Sequence, residues 1–503
     1  MRQSLSGYCG IYHINPNISI AVHSTATLIF GFYACIFGKI YYNRKCNCIY
    51  SHKAMIAIAA NHCVGLKSNS LNVSTEDYGL LTDLYQLTMG ACYVNEGCDR
   101  KRASFELFVR RLPEGFGYLI AMGLAQAVEY LQNLHFTSAQ IEALQATGIF
   151  AKADRHFWDL LKNFRFEGDL WAVPEGTAMF ANEPFLRIEA PLWQAQLVET
   201  YLLNTINYQT LIATRAARLR DVAGDRITLL EFGTRRAFSP QASVWAARAA
   251  LAAGMNATSN VLAALKLGRK PSGTMAHALV MALSAMEGSE AQAFSAFHQV
   301  FPSSPLLIDT FDTIAAAHDL AEKMKSGEMQ VKGVRIDSGD LATVSKEVRS
   351  ILPDVAIFAS GDIDEAEIVR LKGLGAPIDG YGIGTKLVTG APVNGVYKLV
   401  EIDNIPVSKK SSGKQSIAGR KQIWRSFEKG LITSDRLTHI SDSPKSNEQA
   451  ILELVMHNGE LLKPLDDLDA IAERTRSSVE SLPQAVRHIA SPETIPMVVD
   501  IAR

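Results

Sequence analysis

The chain has 503 residues, with 50 Lys and Arg against 51 Asp and Glu, and 48% of its residues are apolar. That ordinary globular composition excludes wholesale disorder, a collagen helix and a coiled coil, and the length suggests two or three domains. A formal net charge of -1 gives no reason to expect nucleic acid as a partner.

The average conceals a seam. Residues 1–75 contain no Asp or Glu, and Glu76 is the first acid. The same stretch carries Arg2, Lys39, Arg44, Lys45, Lys53 and Lys67, and five of the seven cysteines. Ile18 to Gly38 has no formal charge and is long enough to be a transmembrane candidate. Arg44 and Lys45 would then mark the cytoplasmic flank. A secretory signal fits poorly, because Arg2 is the whole positive n-region. Transit peptides are acid-poor but also Arg-rich, and this leader has two Arg. Cys46, Cys48, His52, His62 and Cys63 match no zinc-binding spacing. Three readings stand: sequence upstream of a misplaced start, a targeting or anchor segment, or an ordered extension. All place the functional protein after about residue 72, and a membrane enters only with a genuine anchor.

Residues 76–195 mix helical and strand signals. Tyr85, Thr88 and Met89 share one face of a predicted helix. Ser104 to Arg110 alternates like a strand, as do 169–173 and 185–189 beside Pro-Gly punctuation. Helices are predicted over 121–131 and 138–144.

Residues 196–395 repeat apolar strand, turn and helix. Strand-like runs occupy 227–232, 306–309, 333–337, 356–359 and 378–383. Helical patterns cover 241–252, 276–285, 290–300, 312–325, 340–352 and 362–371. Such alternation implies a parallel sheet, closed as a barrel or doubly wound. No Gly-x-Gly-x-x-Gly follows the first strand, which disfavours a Rossmann fold. Each strand ends instead in a polar cluster, the habit of a barrel whose site is built at the carboxyl ends. After 395 the pattern changes: 396–402 reads as a strand, 408–425 as a Lys/Ser/Gly-rich loop, and 445–503 as mixed. This 396–503 tail either completes the first domain or stands alone.

Four clusters carry chemistry. In Tyr381-Gly-Ile-Gly-Thr385, Gly382 and Gly384 let backbone amides approach an anion and Thr385 adds a hydroxyl; a tight turn is the competing reading. Arg335 and Asp337 fall on alternate strand positions and face one way. One suits a carboxylate or phosphate, the other sugar hydroxyls or Mg²⁺ through water; the competitor is a buried ion pair with Asp340 capping the next helix. Arg235 and Arg236 suit a multiply anionic ligand, or else form solvated surface charge. His277 stands just inside a predicted helix, close in sequence to Ser272, Gly273 and Thr274, which can bind phosphate. A P-loop, a Gly-x-Ser-x-Gly elbow, His-Glu-x-x-His and paired Cys-x-x-Cys are all missing. The residues alone reach a barrel enzyme handling a phosphorylated sugar and an anionic partner.

Seven motifs in order make the chain resemble the nicotinate phosphoribosyltransferases over essentially all of 76–425. They are Leu81-Thr-Asp-Leu-Tyr-Gln-Leu-Thr-Met89, Phe105-Glu-Leu-Phe-Val-Arg110, Glu231-Phe-Gly-Thr-Arg-Arg236, Gly273-Thr-Met-Ala-His277, Gly333-Val-Arg-Ile-Asp-Ser-Gly-Asp340, Ser360-Gly-Asp-Ile-Asp-Glu365 and Tyr381-Gly-Ile-Gly-Thr385. The leader has no counterpart, and Ala418-Gly419 stands where the family often has Pro-Gly. The resemblance implies an α/β fold. An irregular (β/α) barrel of the type II phosphoribosyltransferases would be joined by a second, sandwich-like α/β domain built from N-terminal and C-terminal segments. It implies transfer of phosphoribosyl from phosphoribosyl pyrophosphate (PRPP) to nicotinate, coupled to ATP hydrolysis, in the cytoplasm.

Residue by residue, the resemblance makes His277 the histidine that ATP phosphorylates, beside Thr274. Arg235, Arg236 and Arg335 become candidates for the nicotinate carboxylate and pyrophosphate, and Asp337 holds ribose hydroxyls. Ser360, Gly361, Gly382, Gly384 and Thr385 cradle the 5′-phosphate. Tyr85 stacks on the pyridine ring, reaching across a homodimer. Mg²⁺ accompanies ATP and PRPP, with Asp309 as its protein contact. The rivals are a nicotinamide phosphoribosyltransferase and a membrane-anchored, non-catalytic sugar-phosphate-binding protein. Quinolinate phosphoribosyltransferases are shorter and do not use ATP. Cys92 and Cys98, the two cysteines beyond the leader, do not read as a disulfide.

Overall fold

The computed structural model describes residues 71–409 and 416–501. The apolar Ile18–Gly38 span and the leader's Cys/His pattern lie outside the described residues. Among the described residues, no helix is long and apolar enough to cross a membrane.

The chain opens with helix α1 (Leu84–Asn95), strands β1 (Arg102–Val109), β2 (Asp169–Ala172) and β3 (Pro184–Pro191), and the 25-residue helix α2 (Glu199–Ala223). Sequence periodicity did not single out α2, and its packing explains why. Thr205, Gln209, Thr210 and Thr214 are buried on it alongside Leu202, Ile206 and Ile212. A helix covered on nearly every side shows no clean apolar stripe. The threonines hold a neighbouring segment: Thr214 Oγ1 accepts from Ile120 N (2.8 Å) and Thr210 Oγ1 from Met122 N (3.3 Å).

Six parallel strands follow, with helices between them. They are β4 (Thr228–Glu231), α3 (Pro240–Ala252), β5 (Ala257–Thr258), α4 (His277–Glu287), α5 (Glu290–Val300), β6 (Leu306–Leu307), α6 (Thr313–Lys325), β7 (Gly333–Ile336), α7 (Leu341–Ile351), β8 (Ala356–Ser360), α8 (Glu365–Gly373), β9 (Gly380–Ile383) and the one-turn α9 (Thr385–Val388). Their order in the sheet is β5–β4–β9–β8–β7–β6. Leu229, Val334, Ile357 and Ile383 are fully buried, as strands covered on both faces require.

The ladder leaves β5 and β6 as edges, and the stretch 272–277 spans the opening. Ser272 N donates to Thr258 O of β5 (2.9 Å). Thr274 Oγ1 accepts from Arg335 of β7, and His277 Nδ1 lies 3.1 Å from Thr310 Oγ1, just past β6. One main-chain and two side-chain contacts thus link the far parts of the sheet where no strand ladder does.

After the barrel come β10 (Gly395–Ile402), β11 (Lys421–Glu428), β12 (Leu431–His439) and β13 (Glu453–His457). Strands β10 and β13 return to the N-terminal part, giving a seven-stranded antiparallel sheet whose central order is β10–β1–β3–β2–β13. The second domain is thus built from both ends of the enzyme region. The 408–425 loop reading is corrected at its end, because β11 starts at Lys421. That lysine looks solvated in a Lys-rich stretch, yet it is buried: its Nζ meets Glu106 Oε2 of β1 at 2.7 Å. Arg187 of β3 joins the cluster directly: its Nη1 donates to the Lys421 carbonyl oxygen (2.6 Å) and lies 3.8 Å from Glu106 Oε1, while its Nε pairs with Glu189 (2.7 Å). The polar side of β1 therefore faces a buried ion network that ties C-terminal to N-terminal chain.

A second buried cluster ties β11 and β12 to the N-terminal part. Arg425 binds both oxygens of Asp435 (2.9 and 2.7 Å) and also faces Glu183 at 3.8 Å. Two carboxyls share one guanidinium, so burial first and then the Asp435 charge push the Glu183 carboxyl well above its usual range. A raised carboxyl favours the fold most when protonated. Stability from this group is full below the ordinary glutamate value of 4.5 and is lost as pH rises toward the raised value. Glu183→Gln keeps the neutral form and is expected to flatten the fall of Tm as pH rises above the ordinary glutamate value of 4.5. Melting curves check this; an unchanged slope would contradict it.

Candidate active site

The carboxyl ends of the barrel strands carry the functional side chains, and the parallel register sets them side by side. Arg335 pairs with Phe358 and Phe358 with Gly380, so the ends of β7, β8 and β9 lie abreast. One residue beyond β7, Asp337 Oδ1 accepts from Ser360 Oγ at 2.5 Å. Ser360 is buried at 4% exposure. Gly361 has φ +90°, and a Cβ there would collide with the Asp337 carbonyl oxygen. The turn after β8 therefore packs on the turn after β7 only if glycine occupies it. A cleft of about 420 Å³ opens here, lined by Asp337, Gly339, Leu341, Gly361, Asp362 and Asp364 among others.

Gly382 requires glycine for a different reason: a Cβ would enter the ring of Phe232. Phe232 follows Glu231 at the end of β4, and the Arg335 guanidinium lies 6.0 Å above its ring. The close approach of β9 to Phe232 thus fixes an aromatic face beside a cation. Phe232 was not among the sequence-derived site residues. An aromatic after a buried strand reads as core, and only its neighbours show otherwise. Glu231, fully buried, accepts from Gly233 N and from Thr258 Oγ1 (2.5 Å). It holds the turn that carries Arg235 and Arg236.

Arg335 is the electrostatic centre. One of its Nη groups donates to Thr274, while its Nε is buried with no hydrogen-bond acceptor. Burial weakens its hold on the proton, offset by Asp337 and Asp309. The Arg235 charge also acts on Arg335, in the same direction as burial. Both side chains are exposed. Asp309 Oδ2 accepts from Asp337 N (2.8 Å) and Ser338 Oγ (2.6 Å), while its buried Oδ1 has no partner. Glu290, at the start of α5, also escaped the sequence reading. Burial first, then Asp309, Asp319 and Asp312, push its carboxyl up to about 7.

The structure brings together Thr274, His277, Asp309, Arg335, Asp337, Ser360, Gly361 and Gly382, with Gly384 and Thr385 at the end of β9. Asp340 does take the N-cap position of α7, but its carboxylate accepts from the Thr343 hydroxyl at 2.5 Å. Tyr85 is not part of this group within the chain. It lies on α1, 46% exposed, with its hydroxyl donating to Glu199 Oε2 at 3.2 Å.

The comparisons agree with this architecture. Residues 80–207 match the nicotinate phosphoribosyltransferase (NAPRTase) N-terminal domain, and residues 227–360 match the nicotinate phosphoribosyltransferase (NAPRTase) family. Nicotinate phosphoribosyltransferase pncB2 of Mycobacterium tuberculosis is 39% identical over 421 residues, which are 82% of this chain and 89% of that protein. The chain belongs to the nicotinate phosphoribosyltransferase family. The Bacillus subtilis nicotinate phosphoribosyltransferase is 42% identical over 72% of this chain and 74% of its own length. The crystal structure of human nicotinic acid phosphoribosyltransferase covers 83% of this chain and 97% of its own, at 27% identity and a TM-score of 0.74. The first matched nicotinate phosphoribosyltransferase region begins at residue 80, past the acid-free leader.

Proposed function

We infer that this protein is a nicotinate phosphoribosyltransferase: it joins nicotinate to the ribosyl carbon of PRPP, giving nicotinate mononucleotide and pyrophosphate in NAD salvage. The observation that carries the reading is Arg335, a half-buried guanidinium whose buried Nε donor is unmet, beside an aromatic face and two glycine turns. A guanidinium fork matches a planar carboxylate, and Phe232 supplies a surface for a flat ring. Asp337, held by Ser360, accepts from ribose hydroxyls. The turns at Ser360–Gly361 and Gly382–Thr385 take the 5′-phosphate on backbone amides. As the ribosyl carbon becomes oxocarbenium-like, positioning of nicotinate and stabilisation of departing pyrophosphate supply most of the rate. The cations Arg335 and Arg235 favour nicotinate over neutral nicotinamide.

Coupling to ATP, which makes the enzyme a ligase, is assigned to His277. It opens α4, oriented by Thr310 at 3.1 Å. A neutral imidazole accepts a phosphoryl group, and the phosphohistidine adds charge and acceptors beside the pyrophosphate. Among the described residues, no three acidic, His or Cys side chains converge on a metal position. Mg²⁺ fits as a substrate-borne ion held by phosphates and water, with the unpartnered Oδ1 of Asp309 as its protein contact, where it neutralises phosphate charge. Leu81, Leu84 and Tyr85 expose an apolar face, which supports a homodimer in which Tyr85 serves the partner's site. The free thiols Cys92 and Cys98 accord with a reducing cytoplasm. A shortened protein starting at Leu71, supplied with nicotinate, PRPP, ATP and Mg²⁺, is expected to be fully active. Loss of activity in a folded protein would show that the leader belongs to the enzyme.

A further inference from the structure

Helix α2 packs against the starts of the two helices that follow the glycine turns, and two of its arginines make polar contacts there. Arg215 and Arg218 stand three residues apart, so they project from one face of the helix. Arg215 Nη1 donates to the carbonyl oxygen of Lys386, the residue after Thr385, at 2.8 Å. Arg218 Nε donates to Glu365 Oε1 at 3.0 Å. Glu365 opens α8, four residues past Gly361. Arg218 is itself only 4% exposed, with its guanidinium 4.6 Å over the Phe116 ring. The turns are also linked to each other, since Lys386 Nζ lies 3.5 Å from Asp364 Oδ2. Asp364 in turn caps α8 by accepting from Glu367 N at 2.9 Å.

We propose that Arg215 and Arg218 are positioning residues, which hold the turn after β9 and the turn after β8 at the spacing that the phosphoribosyl 5′-phosphate requires. The proposal rests on the assignment of those turns to the 5′-phosphate. Neither guanidinium has to touch substrate. Arg215 holds the main chain just past β9, and Arg218 holds the start of α8 through the Glu365 carboxylate. The amides of the two turns must converge on one phosphate, and misplacement by about 1 Å costs on the order of 10²-fold. The cost falls on the substrate that carries the phosphate. Nicotinate, held by Arg335 and Phe232 on other strands, is spared.

The test is steady-state kinetics on the full chain, with KM for PRPP and KM for nicotinate measured separately. Arg215→Ala and Arg218→Ala are expected to raise KM for PRPP about tenfold or more, while KM for nicotinate stays within about twofold. Arg215→Lys retains a donor for the Lys386 carbonyl and should recover most of the loss. Arg218 is buried, so Glu365→Gln tests the same contact from its less buried side and should also raise KM for PRPP. A purely structural role would lower Tm and the active fraction with both KM values unchanged, and that result overturns the proposal. Thr385→Val and Gly361→Ala separate the layers. If these raise KM for PRPP while the arginine and Glu365 variants do not, only the positioning role fails. If they leave KM for PRPP unchanged, the turns do not bind the phosphate, and both readings fall.

Discussion

Arg335→Ala is expected to lower kcat/KM by on the order of 10²-fold or more. The guanidinium is held by Thr274 over the Phe232 ring, with its Nε buried and unbonded. A donor in that state is reserved for an acceptor that arrives with substrate. Truncating one partner of a buried charged hydrogen bond costs roughly 2–5 kcal/mol, and about 1.4 kcal/mol is a factor of ten. Arg335→Lys should recover little, because an ammonium cannot present the planar fork. Phe232 still packs against Gly382 in these variants, so the fold should persist. Kinetics on protein with an unchanged melting profile check this, and a loss below about fivefold would contradict it.

His277→Ala is expected to remove ATP hydrolysis and ATP stimulation, each by at least about 10²-fold, the scale lost with a group essential to a chemical step. Slow ATP-independent transfer should persist, because no other assigned contact to nicotinate or PRPP passes through the imidazole. Loss of the ring leaves Thr310 without its neighbour but opens no core cavity, since His277 is only partly buried. The measurement is ATP consumption alongside mononucleotide formation. Unchanged coupling would end the phosphohistidine assignment.

Much of the barrel could be read from sequence, because parallel strands buried on both faces appear as unbroken apolar runs ending in polar clusters. Asp309, Asp337, Ser360 and Gly384 all lie at, or within two residues past, the ends of β6, β7, β8 and β9. Other elements carried no such mark. Strand β5 is two residues long and has no period. Helix α2 hides its register because threonines and a glutamine are buried among its leucines. The return of β10 and β13 to β1 and β2 joins segments hundreds of residues apart, and alternation within a strand does not name its neighbour. Lys421 illustrates the limit in one residue: a lysine beside a Lys-rich loop is solvated by default, and only Glu106 across the sheet reverses that.

Within the site, sequence pointed to residue types that suit anions and sugars, and the family's motifs supplied their roles. It did not find Phe232, whose significance depends on Gly382 pressing against its ring and Arg335 lying above it. It left Arg235 and Arg236 equivalent, and both are exposed on the turn that Glu231 holds. Glu290 lay outside every motif, and only the acids around it in three dimensions raise its carboxyl to about 7.

The most direct test of the central claim is substrate choice by the full-length protein. Purified enzyme with PRPP, ATP and Mg²⁺ is given nicotinate or nicotinamide at equal concentration, and mononucleotide and pyrophosphate are quantified. Nicotinate mononucleotide with matching pyrophosphate is the expected result, with little product from nicotinamide. A preference for nicotinamide, or no mononucleotide from either, would contradict it.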